Sequence, residues 1–282
     1  MTTGTPERSG PSNVWVSKDV ASGWQSGAAA RGQTLGPATE QMLDLAGVRS
    51  CHRVLDVGAG TGEQTLLAAQ RVGPSGVVLA TDISPTMLDR AREAAHAANL
   101  LNVQTQVMDA QHLELESGSF DAAIARLSLQ FVPDPERALA EVRRVLKPGG
   151  RFAVMVISTT EKNPYRAIPQ AIASRLAGRQ FPEPGPGQWA LNNPAALSDV
   201  YGRAGFREVE VRPVIVAWCF PSVADARRNL EESQPPLMKL LAELSERDRA
   251  AAWFEIDRVL QAFAGRDGFE APGEFLIAVG TS

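Results

Sequence analysis

The chain has 282 residues, 44% of them apolar and 21% charged, with a formal net charge of −4. Such a composition suits a globular protein with a sizeable core and gives no overall positive field to gather nucleic acid or anionic membrane. Its two cysteines, Cys51 and Cys219, lack a C-x-x-C partner, which argues against a disulfide framework or a zinc site and suits a reducing cytoplasm.

Residues 1–13 are polar and rich in Gly, Pro, Ser and Thr, so disorder is expected there. They lack the apolar region of a signal peptide. No apolar run approaches the ~20 residues that a membrane helix needs. Residues 14–31 carry Trp15 and Trp24 among small side chains. Pro37 suits the first position of a helix over 37–46, which Gly47 closes.

Residues 54–62 read V-L-D-V-G-A-G-T-G. The run 54–57 is apolar except for Asp56 and predicts a buried parallel strand. Gly58, Gly60 and Gly62 then allow a sharp turn and a close approach of backbone to a ligand. A helix over 63–72 follows, so the turn presents free N–H groups at a helix start. The dinucleotide fingerprint needs glycines at positions one, three and six. Here they fall at one, three and five, and the sixth position is Glu63.

A second buried strand, 77–81, ends at Asp82, about 20 residues past the turn, where an acidic side chain can accept from ribose hydroxyls. Ser84 and Pro85 begin a helix over 85–98. Met87, in its first turn, suits either the core or an adenine contact. Residues 102–108 alternate as an edge strand and lead to Asp109. Three acidic residues thus finish or nearly finish three successive strands, where ligands of open α/β sheets bind.

The fourth strand is expected over 120–129. A helix follows over 134–146, with Asp134 as cap and Pro135 at its first position. Lys147-Pro148-Gly149-Gly150 ends that helix, and a fifth strand spans 151–157. Residues 158–193 are Pro- and Gly-rich and hold Tyr165, Phe181 and Trp189. A short helix over 194–204 is closed by Gly205. Residues 206–220 predict a long strand with Pro213 at a bulge or an edge. Residues 222–264 are largely helical, and 274–280 form a last strand. No linker divides the chain, which reads as a single domain.

The pattern D-x-G-x-G-x-G, the acidic residues downstream, and R-V-L-K-P-G-G-R-F-A-V resemble class I S-adenosylmethionine (SAM)-dependent methyltransferases, particularly the ubiquinone/menaquinone-biosynthesis type. The resemblance covers roughly residues 54–157. It implies a Rossmann-like α/β fold: a seven-stranded, mostly parallel sheet in the order 3-2-1-4-5-7-6, helices on both faces, and added helical cap segments. It also implies SAM as cofactor and S-adenosylhomocysteine as product. By the same resemblance, Gly58, Gly60 and Gly62 line the methionine moiety, with Ala59 beside them, and Asp56 orients it. Asp82, with Ile83 next to it, holds the ribose. Asp109 and the backbone of Ala110 read the adenine. Arg126 borders the methionine part and the acceptor, where it would meet a carboxylate or form a structural salt bridge.

Methyl transfer needs no metal and no nucleophilic side chain, and none is expected. His112, three residues past Asp109, is the candidate general base. All five tryptophans lie outside 54–157. Segments 14–31, 158–193 and 222–264 are therefore expected to close over the cofactor and bind a small, largely apolar acceptor. A non-catalytic SAM-binding regulator and a nicotinamide-dependent oxidoreductase are the alternatives; the glycine spacing and Asp109 speak against the second.

Overall fold

A computed structural model describes residues 15–282; the disorder expected over 1–13 lies outside the described residues. Eight strands form one sheet: β1 (Arg53–Val57), β2 (Val77–Asp82), β3 (Val103–Val107), β4 (Phe120–Arg126), β5 (Leu146–Ile157), β6 (Arg207–Phe220), β7 (Ala264–Gly265) and β8 (Gly268–Thr281). Their order is β3-β2-β1-β4-β5-β8-β6, with the two-residue β7 paired to β8. The first five strands are mutually parallel, and β8 runs antiparallel to both β5 and β6. Setting β7 aside, this is the seven-stranded order expected from the sequence.

Strand alternation divides the interior into two cores. Val54, Val78, Ile124 and Met155 face α2 (Ala28–Leu45), α3 (Glu63–Val72) and the added helices. Leu55, Leu79, Ala123 and Val154 face α5 (Pro135–Val145) and α7 (Pro194–Arg203). Between β2 and β3 runs α4 (Pro85–Ala97), capped by Ser84, whose hydroxyl accepts the Met87 amide. Asp134 caps α5 in the same way, accepting the Arg137 amide at 3.0 Å.

The cap segments depart furthest from expectation. A short α1 (Lys18–Ser26) precedes α2, which starts nine residues before Pro37 and runs through it. Proline removes one ladder hydrogen bond, but burial of Leu35, Ala38, Thr39, Met42 and Leu43 holds the helix together. The Pro/Gly-rich segment also contains a helix, α6 (Pro164–Leu176), anchored by Tyr165, which is fully buried. Three helices fill the expected helical region: α8 (Val223–Ser233), α9 (Pro235–Glu243) and α10 (Glu246–Leu260).

Three strand boundaries shift. The fifth strand begins at Leu146, five residues before the expected start, where Leu146 pairs with Phe120 of β4. The fourth strand stops at Arg126, because Leu127 turns the chain with φ +58° into a single 3-10 turn at Leu129–Phe131. The last strand begins at Gly268, six residues early, since its start pairs with the end of β6. The strand β6 is an edge, as Pro213 suggested, but its irregularity lies between Arg207 and Glu210; Pro213 itself pairs with Leu276 of β8.

Candidate active site

The site forms where β1, β2 and β4 end side by side. The glycine turn leaves β1 with φ values of 68°, 56° and 92° at Gly58, Gly60 and Gly62, all in the region where a Cβ is disfavoured. A Cβ on Gly58 would lie 2.4 Å from the Cβ of Ser128, so the end of β4 packs directly on the turn. The Ser128 hydroxyl fastens that contact by donating to the Val57 carbonyl at 2.7 Å. Gly62 serves packing too: its Cβ would meet Ala91 of α4 at 2.9 Å.

Asp82 closes the turn from the neighbouring strand. Its Oδ2 accepts the Gly60 amide at 2.9 Å and its Oδ1 accepts the Ser84 amide at 2.9 Å. Burial pushes its carboxyl above the usual range, partly offset by these N–H groups. Each oxygen has a second acceptor direction, and the residue faces the cavity. Asp109 is braced likewise: its Oδ1 accepts the amide of Gln111 at 2.9 Å and the Gln111 side-chain nitrogen at 3.0 Å.

A cavity of about 1070 Å³ opens over these strand ends. Ligand pockets span roughly 300–1,000 Å³, so this one lies at the top of that range. Among the expected site residues, Gly58, Ala59, Gly60, Asp82, Ile83, Met87, Asp109, Ala110, Arg126 and His112 line it. Asp56 and Gly62 do not. Asp56 instead points its fully buried carboxylate at α3, where the Thr65 hydroxyl donates at 2.6 Å and Gln64 at 3.2 Å. Burial raises its pKa to about 6 despite those hydrogen bonds. Its task is to seat α3 behind the glycine turn.

The cap supplies what the strand ends cannot. Trp15, Val16 and Trp24 cover the cavity, together with Phe131 and Pro186. Trp15 meets Trp24 edge-on at 5.4 Å and Phe131 at 4.9 Å. Trp24 lies over the turn, where a Cβ on Gly60 would come within 3.4 Å of its indole nitrogen. Segment 222–264, expected to close over the cofactor, contributes no lining residue to this cavity. Trp218 is buried in the core, and Trp253 packs beneath Arg227 at 4.3 Å. Both rings pack with the hydrophobic core rather than with the cavity.

Beneath the cap sits a charge cluster. Glu63 bridges two guanidiniums: its Oε1 is 2.5 Å from Arg31 Nη2 and its Oε2 is 3.0 Å from Arg126 Nη2. Arg126 also donates to the Thr39 hydroxyl at 3.2 Å, and Arg31 lies 3.9 Å from the centre of the Trp24 ring. Burial alone would raise the Glu63 carboxyl, but the two arginines outweigh it and hold it below its ordinary value. Arg126 therefore meets a carboxylate of the protein itself. With two cations against one anion, the cluster is positive where the methionine end of a cofactor would lie. Glu63 was legible only as an exception to the dinucleotide pattern; its partner Arg31 carried no sequence signal.

SAM presents a carboxylate, a cationic sulfonium, a ribose diol and an adenine, and the residues present fit it. The glycine turn supplies a cradle without side chains, the Asp82 oxygens supply acceptors for a diol, and Ala110 and Met87 supply backbone and apolar contact for a flat base. Among the described residues, no three His, Cys, Asp or Glu side chains cluster as a metal site, and no helix is long and apolar enough to cross a membrane.

Fold and site together define a Rossmann-like α/β protein with the cofactor site of a SAM-dependent methyltransferase. Comparison with known proteins agrees: residues 55–154, about a third of the chain, match the methyltransferase domain, a class I SAM-dependent methyltransferase domain resembling that of the ubiquinone/menaquinone-biosynthesis C-methyltransferases. An arsenite methyltransferase of Halobacterium salinarum is 30% identical over 205 residues, covering 72% of this chain and 49% of that protein. The ubiquinone/menaquinone biosynthesis C-methyltransferase UbiE of Pasteurella multocida is 38% identical over 127 residues, covering 45% of this chain and 47% of that protein. The chain thus spans about half the length of these curated relatives. In fold it is similar to the YcgJ protein of Bacillus subtilis, with a TM-score of 0.59 at 17% identity over 88% of this chain and 98% of that one.

Proposed function

We propose that this protein transfers a methyl group from SAM to a small organic acceptor held under the Trp15–Trp24 cap. The observation that carries the proposal is the single continuous cavity, which joins the Asp82 and glycine-turn cradle to an aromatic compartment. When bound, SAM supplies an electrophilic methyl group on a sulfonium, so the protein has only to position and desolvate.

The chain's residues divide that work. Asp82 and the Gly58–Gly60 backbone orient the cofactor end. Arg31 and Arg126, neutralised only in part by Glu63, favour an anionic group beside them. Trp15, Trp24 and Phe131 exclude water and offer flat apolar contact to an acceptor. His112, exposed at the cavity edge, is placed to take a proton from an acceptor hydroxyl. Glu63 is held ionised by two arginines and is a poor base. Cys51 and Cys219 are both exposed and neither lines the cavity, so the arrangement favours a carbon-based acceptor over a thiophilic one such as arsenite.

The test is release of S-adenosylhomocysteine from SAM on a panel of small aromatic and hydroxylated compounds, with RNA in parallel. Turnover on small molecules is expected. Turnover on RNA alone, declining steeply with salt, would refute the proposed acceptor class.

A further inference from the structure

We propose that a side chamber behind Trp15 and Trp24 receives a carboxylate group of the methyl acceptor, with Arg166 as its counter-charge. The proposal rests on the cavity being the cofactor and acceptor site.

A small void of about 20 Å³ adjoins the main cavity, and Trp15, Trp24, Leu127 and Phe131 line both. As it stands it has room for about one water, so an acceptor carboxylate reaches Arg166 only when the shared wall of Trp15, Trp24, Leu127 and Phe131 gives way. Its lining is mostly apolar, with Arg166, Gln130, Gln188 and Ser233 as its polar side chains. Arg166, on α6, is 6% exposed and lies 4.4 Å from the centre of the Trp218 ring. Its Nε has no hydrogen-bond partner, and no carboxylate among the described residues forms an ion pair with it.

The surroundings worsen the imbalance. The Gln170 side-chain nitrogen donates to Gln188 Oε1 at 3.0 Å and to Gln234 Oε1 at 2.7 Å. Those contacts use the two oxygens and leave both Nε2 groups without acceptors. Nε and Nη1 of Arg31 are buried and unpartnered as well. Against these donors, Gln130 Oε1 is the unpartnered acceptor in the chamber lining, so unpartnered donors outnumber acceptors there. Burial lowers the Arg166 pKa to about 10, and the Arg31 charge pushes the same way, so the guanidinium remains charged at neutral pH.

An unpaired buried cation is destabilising unless an anion meets it. Water would satisfy the N–H groups but not the charge. A guanidinium's planar fork matches a carboxylate's two oxygens, and the intervening wall of Trp15, Trp24 and Phe131 suits an apolar or aromatic body. The geometry thus selects small organic acids over neutral compounds of the same shape.

The protein, saturated with S-adenosylhomocysteine, is titrated calorimetrically with benzoate, phenylacetate and hexanoate, and with their amides. The acids should bind at least tenfold more tightly than the amides. Arg166→Met should abolish that preference, and Arg166→Lys should keep part of it, while neither changes affinity for S-adenosylhomocysteine. Equal binding of acids and amides, or no binding of either, overturns the proposal without needing a variant to fold. If Arg166→Met instead weakens S-adenosylhomocysteine and spares the acids, the cation serves the cofactor's own carboxylate and the proposal is wrong. Failure of wild-type protein to bind S-adenosylhomocysteine overturns the reading of the cavity itself, a separate outcome.

Discussion

Arg31 and Glu63 are 32 positions apart in sequence and 2.5 Å apart in space, and this pair fastens the N-terminal cap to the cofactor turn. Both ends are shielded, with the arginine side chain fully buried and the glutamate side chain 15% exposed. Removing one partner of a buried pair strands the other charge, at a cost of roughly 3–5 kcal/mol. Glu63→Gln should therefore lower stability by about that much, since it strands Arg31 and Arg126 together. Arg31→Met should cost less, because Glu63 keeps Arg126. Chemical denaturation of both variants checks the order; a milder loss for Glu63→Gln than for Arg31→Met would contradict it.

Trp24 couples this pair to the ligand. Its ring stacks on Arg31 and lies over Gly60. Trp24→Ala should loosen α1 from the turn and weaken S-adenosylhomocysteine binding by roughly 1–2 kcal/mol, the scale of a desolvated cation–π contact. Unchanged affinity by calorimetry would show that the cap covers the site without contributing to it.

For Asp82, the expected loss has two components. Its carboxylate holds the Gly60 and Ser84 amides as well as facing the cavity. Asp82→Asn keeps the shape but replaces one acceptor by a donor, so one of those amides loses its partner. Affinity for S-adenosylhomocysteine should fall by roughly 1.5–3 kcal/mol, the scale of hydrogen bonds to a charged group. Measured affinities for adenosine and methionine separately would show the loss on adenosine; a loss confined to methionine would relocate the ribose.

Asp56 predicts a pH dependence of stability. Its folded pKa, about 6, lies above the ordinary 3.8, so the folded state holds the proton more tightly than the unfolded one. The stabilisation is complete below pH 3.8 and is lost as pH rises through about 6, by linkage. Two pH units correspond to on the order of 3 kcal/mol. The stability difference between wild type and Asp56→Asn should fall between pH 4 and pH 6 and level off above it. A difference that grows over that interval has the wrong sign for this account.

The contrast between Asp82 and Asp56 shows what the sequence could reveal. Ser84 and Asp134 cap the helices that follow them, and Asp82 accepts the Ser84 amide two residues on, so that chemistry was visible in local spacing, whereas the Asp82–Gly60 contact spans 22 residues. Asp56 shares the same strand-end pattern but points to α3, and strand parity alone does not say which end-of-strand side chain meets the ligand. The Arg31–Glu63–Arg126 cluster joins three separate elements and leaves no periodic trace. Pro37 misled the reading of α2, because the tertiary burial of Leu35 and Ala38 outweighs one missing ladder hydrogen bond. Segment 222–264 reaches only the small side chamber, through Ser233, Pro235 and Pro236, and not the cavity over the strand ends: tryptophan content reports apolar payload, and only packing decides whether it faces a core or a ligand.

The central claim is that the strand-end cradle binds SAM, and thermal unfolding with S-adenosylhomocysteine or NAD tests it most directly. A ligand at 100 times its dissociation constant stabilises the folded state by ~2.7 kcal/mol. S-adenosylhomocysteine should raise the melting temperature of the wild-type protein, less so that of Asp82→Asn, and NAD should leave both unchanged. A rise with NAD and none with S-adenosylhomocysteine would contradict the account.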